Sequence, residues 1–170
     1  MPSPCQSTAV SRTDHRVIEL PAQMDNLVEQ ARAFAAIKHY GQIDRDGKPH
    51  TDHCERVAAS LEGDAVLQAA ALLHDVLEDT DCTAAEVEYR FGVDVSSLVI
   101  LLTRSKTQSF GDYLKQIVGH DRRRYPARIH RMACMLKIAD IQDNLNRCDA
   151  KMAPKRPMYE SGLSLLKINL

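Results

Sequence analysis

The stretch Ala69-Ala70-Ala71-Leu72-Leu73-His74-Asp75-Val76-Leu77-Glu78-Asp79-Thr80 constrains this chain more than any other. It begins as an unbroken small and apolar run. Four ionisable side chains then arrive within six residues, His74, Asp75, Glu78 and Asp79. Such a run predicts a helix buried on most sides. Charges at its end are costly to bury unless they are paired or bound to a metal. Helical spacing would stack Glu78 over His74 and Asp79 over Asp75. Two readings remain at this point. One is half of a metal site with acid–base groups beside it. The other is a helix end that meets solvent with ordinary surface charge. The rest of the chain has to supply the missing ligands for the first.

The chain has 170 residues, enough for one self-supporting core. We divide it into a loose N-terminal arm over residues 1–22, which carries Pro2, Pro4, Ser7, Ser11 and Pro21, and a single domain over residues 23–170. The formal net charge is −1. That balance lacks the basic surplus expected of a nucleic-acid or membrane-surface binder. Arg122-Arg123-Arg124 with Arg128 and Arg131 is a local exception, read as a solvated loop and helix start. The five cysteines (Cys5, Cys54, Cys82, Cys134, Cys148) include no C-x-x-C pair. They suggest neither a disulfide framework nor a thiolate zinc site, and read as reduced thiols in a cytosolic protein. No segment has the apolar length of a signal-peptide core or a membrane span.

The remaining pattern is helical throughout. Leu27, Ala31, Phe34, Ala35 and Ile37 or Lys38 recur near a 3.6-residue period, which predicts a helix from Gln23 to about His39-Tyr40-Gly41. Gln42–Asp52 is a polar loop with Gly47 and Pro49 as turn residues. A short helix follows from Thr51 to Leu61, with His53 at its start. Thr83-Ala84-Ala85-Glu86 and Ser109-x-x-Asp112 are N-terminal capping patterns. Gly92 should stop the helix that the first one opens. Tyr125-Pro126 opens a long helix to about Arg147. A last helix, Met158 to about Leu166, covers the core. No alternating strand pattern stands out, so the expected class is all-α, a single domain of seven to nine helices.

On the long helix, Asp140, Asp143, Asn144 and Arg147 share one face. Apolar Leu136, Ile138 and Ile141 do not separate fully from that stripe, so an acid there should face the interior. His53 gains weight only because a metal at His74-Asp75 needs further ligands. His53, His74, Asp75 and Asp140 would form a set of two imidazoles and two carboxylates. Nitrogen and oxygen donors without thiolate suit Mn²⁺, Fe²⁺ or Zn²⁺, with Mn²⁺ favoured by the carboxylates.

His53, His74-Asp75, Glu78-Asp79 and Asp140 together resemble the HD-domain metal-dependent phosphohydrolases. Within them the similarity is greatest to the Rel/SpoT-type hydrolase domain. It spans roughly Asn26–Arg147 and includes Ala35-x-x-Lys38-His39-x-Gly41-Gln42, Gly47-x-Pro49-x-x-x-His53, Ala71-Leu72-Leu73-His74-Asp75-x-x-Glu78-Asp79-Thr80 and Lys137-Ile138-Ala139-Asp140-x-x-Asp143-Asn144. The resemblance implies the all-helical HD fold of the small stand-alone alarmone hydrolases. It also implies a Mn²⁺-dependent hydrolase that removes the 3′-pyrophosphate of (p)ppGpp, a small-molecule nucleotide. By position, His53, His74, Asp75 and Asp140 would hold the metal. Glu78 and Asp79 would be the catalytic pair that activates water. Arg45, Lys48 and Asn144 would contact the substrate.

Two positions depart from the family pattern. Where an arginine usually packs on the guanine ring this chain has Asp44, an anion expected to face the base. The histidine that usually precedes the asparagine is Asp143. The reaction class is therefore firmer than the substrate's identity. The alternatives are a nucleotide-binding sensor that does not turn its ligand over, or a phosphatase of another nucleotide such as NADPH or a (d)NTP.

Overall fold

A computed structural model describes residues 20–119, 124–147 and 153–170. Among these residues the protein is eight α-helices and one 3₁₀ turn, and the only β contact is an isolated bridge between Ile43 and Pro49. The all-α expectation holds. Most of the arm expected over residues 1–22 lies outside the described residues. Its last three positions are already helical, because α1 runs Leu20–Lys38. Ala31, Phe34 and Ala35 of α1 are buried, whereas Ile37 is 73% exposed. Lys38 instead turns its ammonium to Asp81 and Glu86.

The central element is α3, Ala65–Leu73. Asp64 caps it, its carboxylate accepting from the backbone N–H groups of Val66 and Leu67, which satisfies donors a helix start leaves open. Ala69 to Leu73 are all essentially inaccessible to water. Helices α1, α2 (Thr51–Ala59) and α5 (Ala84–Leu102) pack around it. Small alanines let those neighbours approach closely, and this burial pins the residue that follows Leu73.

The continuous helix expected through Asp79 is interrupted. α3 ends at Leu73, the chain turns at His74-Asp75, and α4 covers only Val76–Asp79. The amides of Glu78 and Asp79 both donate to the Asp75 carbonyl. Adjacent side chains on a straight helix diverge by about 100°. The turn removes that divergence and lets His74 and Asp75 aim at one point.

Thr83 and Ser109 cap α5 and α6 (Phe110–Val118) as their patterns predict. Glu86 does not complete its capping box, since its carboxylate pairs with Lys38 and Arg90. α7 runs Ala127–Asn146, and α8, Arg156–Ile168, packs on α6 and α7, with Pro157 in its first turn. In the arginine cluster, Arg122 and Arg123 lie outside the described residues. Arg124 and Arg131 are exposed, and Arg128 pairs with Asp94.

Gly92 breaks α5 into two helical segments, with φ 84° and ψ 169°. That region is open essentially to glycine alone. A Cβ there would meet nothing within 4 Å, so a substitution would be opposed by backbone conformation rather than by crowding. Gly92→Ala is expected to lower stability by about 1–3 kcal/mol, measured as a shift in the urea unfolding midpoint at unchanged slope.

Candidate metal centre and catalytic pocket

Three elements bring the predicted ligands together. His53 stands in the first turn of α2, His74 and Asp75 occupy the α3–α4 turn, and Asp140 lies midway along α7. His53 Nε2 is 3.2 Å from Asp140 Oδ1, and His74 Nε2 is 4.0 Å from the same oxygen. Asp75 Oδ1 is 3.2 Å from His74 Nε2. His53, His74 and Asp140 are all buried.

The donor chemistry of this set fits a divalent cation. His74 Nδ1 lies 2.7 Å from the Ala71 carbonyl, which can only accept, so Nδ1 carries the proton and Nε2 a lone pair. His53 Nδ1 is likewise held by the Asp143 carboxylate at 2.7 Å. Two imidazole Nε2 atoms and two carboxylate oxygens therefore face one another as acceptors. Burial works against charge on His53, yet the Asp140 and Asp143 carboxylates outweigh it and push the imidazole up to about 9. Protonation of His53 relieves the repulsion at one contact; a cation relieves it at all four atoms. Carboxylate–histidine pairing behind a ligating imidazole is a common support for metal ligands.

Further residues hold these four in place. Lys137 Nζ is 2.7 Å from Asp140 Oδ2 and sits 4.9 Å from the centre of the Tyr113 ring. Asn144 Nδ2 donates to Asp140 Oδ1 at 2.7 Å. Burial alone would raise the Asp140 carboxyl, but Lys137 and the two imidazoles hold it well below the usual carboxylate range. Asp75 behaves the same way, lowered by His74 and by a 3.0 Å contact with His50 Nε2. Arg56 pairs with both oxygens of Asp143 at 2.7 and 3.1 Å, leaving that carboxylate a single-sided support for His53. Burial holds His39, next to His50, below the ordinary imidazole value.

A cavity of about 510 Å³ opens beside this cluster. Asp44, Asp75, Glu78 and Asp140 line it with carboxylates, Arg45, Arg104, Lys137, Arg147 and Lys155 supply cations, and Phe110, Tyr113 and Tyr159 add aromatic surface. Glu78 is exposed, and its Oε2 accepts the Arg104 amide at 3.0 Å. Asp79 does not line the cavity; one of its carboxylate oxygens, a His50 ring nitrogen and an Asp75 carboxylate oxygen all lie within 4.8 Å of one another.

Two of the expected substrate contacts are placed differently. Lys48 is exposed and absent from the cavity wall, because the loop turns its side chain to water and uses only its backbone, whose N–H donates to Asp44. Asn144 lines the cavity, but its amide is spent on Asp140. Arg45 lines it too, with one Nη2 donating to the Asn144 and Arg147 carbonyls at the end of α7. Asp44 does not present a free anion to a base: its Oδ2 is 2.5 Å from Arg147 Nη2, and Oδ1 accepts from the Asp46 and Lys48 amides. Sequence reasoning missed His50, Arg56 and the role of Asp143. The i,i+3 spacing of His50 and His53 was the available signal for the first.

A family model for the HD domain matches residues 31–151. The chain belongs to the HD-domain family. It is 39% identical over 129 residues to guanosine-3′,5′-bis(diphosphate) 3′-pyrophosphohydrolase MESH1 of Mus musculus, an alignment covering 70% of this chain and 69% of the mouse protein. It is 30% identical over 141 residues to the bifunctional (p)ppGpp synthase/hydrolase SpoT of Escherichia coli (strain K12), covering 81% of this chain but only 20% of that protein. A solved structure of a metazoan orthologue of SpoT, which hydrolyses ppGpp and plays a role in starvation responses, aligns with a TM-score of 0.65 at 26% identity. That alignment covers 82% of this chain and 85% of the other. Among the described residues no helix is long and apolar enough to cross a membrane.

The Asp44–Arg147 contact gives this HD domain a pH signature. Burial opposes ionisation of Asp44, but the Lys48 amide, the Arg147 guanidinium and the Asp46 amide bring it down to about 2. The unfolded value is near 3.9. The group therefore stabilises the fold above about pH 4, and loses that contribution as pH falls through about 2. Asp44→Asn should lower the urea midpoint at neutral pH, and the gap to wild type should close between about pH 4 and pH 2.

Proposed function

We propose that this chain is a metal-dependent pyrophosphohydrolase of a guanosine-3′,5′-bis(diphosphate)-type nucleotide, with Mn²⁺ as its cation, working in a reducing, cytosolic setting. The observation that carries this reading is the convergence of His53, His74, Asp75 and Asp140 beside a cavity walled by cations. The names of the relatives supply the substrate class. Free, buried Cys54, Cys82 and Cys134 agree with the reducing setting.

His53, His74, Asp75 and Asp140 would hold the cation. A divalent ion there neutralises phosphoryl charge and makes water more acidic. The chain's own groups do the rest. Lys137 and Asn144 fix Asp140 so that its Oδ1 faces the two imidazoles. Arg45, Arg104, Arg147 and Lys155 bring positive charge to the cavity, which suits a nucleotide with two diphosphate groups and balances charge that builds on the transferring phosphoryl group. Glu78 is the base: Arg104 holds one of its oxygens and leaves the other for a water proton. Asp79 assists by orienting the His50–Asp75 pair. In the reaction a bond forms between the water oxygen and the phosphorus next to the ribose 3′-oxygen. The P–O3′ bond breaks, pyrophosphate departs, and the proton taken by Glu78 passes to the 3′-oxygen. Lys48 has no part in this assignment.

The test is a nucleotide panel assayed for released pyrophosphate or phosphate in Mn²⁺, with bound metal measured in parallel. His74→Ala and Asp75→Ala should lose the metal and the activity together. Glu78→Ala should retain the metal and fall by at least about 100-fold in kcat. Wild-type turnover in Glu78→Ala would remove it from the mechanism. Binding of a guanine nucleotide without any turnover by the wild-type protein would favour a sensor.

A further inference from the structure

A second set of ligand atoms adjoins this centre, and two of its members, His39 and Cys54, have no part in the proposed reaction. His39 follows the end of α1, His50 precedes α2, and Cys54 lies in the first turn of α2. His39 is 2% exposed and Cys54 is fully buried. One ring nitrogen of each histidine and the Cys54 Sγ all lie within 4.8 Å of one another. The two rings are 4.7 Å apart, centre to centre.

The hydrogen bonds fix which atoms carry lone pairs. The Asp79 carbonyl only accepts, so it is the amide nitrogen of Gln42 that contacts it, at 2.8 Å. The Gln42 Oε1 is thereby turned to His39 Nδ1, also at 2.8 Å. Nδ1 must then carry the proton, which leaves His39 Nε2 a bare acceptor. That Nε2 is buried and has no hydrogen-bond partner. Leaving such a group unsatisfied forfeits its hydration without return, and a native fold retains few of them. His50 is prepared in the same sense. Its Nε2 faces Asp75 Oδ2 at 3.0 Å, and donation to that carboxylate leaves the lone pair on Nδ1. A carboxylate behind an imidazole is the usual support for a ligating histidine.

We propose that His39, His50 and Cys54 bind a second metal ion of the zinc class, separate from the one held by His53, His74, Asp75 and Asp140. Two imidazoles and one thiolate form a borderline-soft set that prefers zinc over manganese, with a fourth position left for water. His50 also lines the catalytic cavity, so the ion has a route in. Asp75 connects the two centres: Oδ1 faces His74 and Oδ2 faces His50. The proposal is independent of the substrate reading.

The test is titration of the metal-free protein with Co²⁺ and then Zn²⁺, reading ions bound per chain and the near-ultraviolet thiolate-to-cobalt absorption. Wild type should bind two ions and show that absorption. Cys54→Ser should lose the absorption and bind one ion. His39→Gln should also lose one ion. Asp140→Ala should lose the other ion and pyrophosphate release while keeping the absorption, so failure of the hydrolase reading leaves this result untouched. Circular dichroism of each metal-free variant checks the fold. A single ion in wild type, or absorption that persists in Cys54→Ser, overturns the proposal whichever variants fold.

Discussion

The structure turns on four side chains that meet with acceptor atoms facing one another. Placing two carboxylates and two imidazole lone pairs together in a buried space is unfavourable by itself. The fold tolerates it because each group is held from behind. Ala71 fixes the His74 tautomer, Asp143 fixes His53, and Lys137 with Asn144 anchors Asp140. His50 holds Asp75. Arg56 pairs with Asp143 and Lys137 with Asp140, while Asp75 faces only imidazoles. Protonated His53 can offset one carboxylate charge, and a divalent ion can take its place while accepting lone pairs from all four donor groups.

Precision at that point comes from burial elsewhere. α3 is enclosed by α1, α2 and α5, and its last residues have no room to shift. A close-packed interior transmits position faithfully, so the turn after Leu73 presents His74 and Asp75 in a fixed direction. The turn also brings His74 Nε2 and Asp75 Oδ1 within 3.2 Å of each other. The surrounding cavity combines the Asp75, Glu78 and Asp140 carboxylates with the cationic side chains of Arg45, Arg104, Lys137, Arg147 and Lys155. Such a concentration of cations raises the local concentration of an anionic ligand.

The loop between α1 and α2 shows how the fold accommodates an acid at position 44. By sequence, Asp44 reads as an anion facing the base. In the fold it closes the loop through two backbone amides and ties the loop to Arg147 at the end of α7. Asp143 is similarly drawn inward to support His53. Both carboxylates are engaged in contacts within the protein, Asp44 with Arg147 and Asp143 with His53 and Arg56.

The helical class, the buried run at Ala69–Leu73, the capping at Thr83 and Ser109 and the break at Gly92 were legible in the sequence, because each rests on periodicity or on a local backbone rule. The resemblance of ordered motifs placed His53, His74, Asp75 and Asp140 in one set. Local rules could not show that the helix turns at His74-Asp75, that Lys48 points to water, or that Asn144 serves Asp140. The pairing of His50 with Asp75, of Asp143 with His53 and Arg56, and the orphaned nitrogen of His39 joined residues up to 90 positions apart. Such contacts depend on how helices pack in space, and tertiary structure alone decides them.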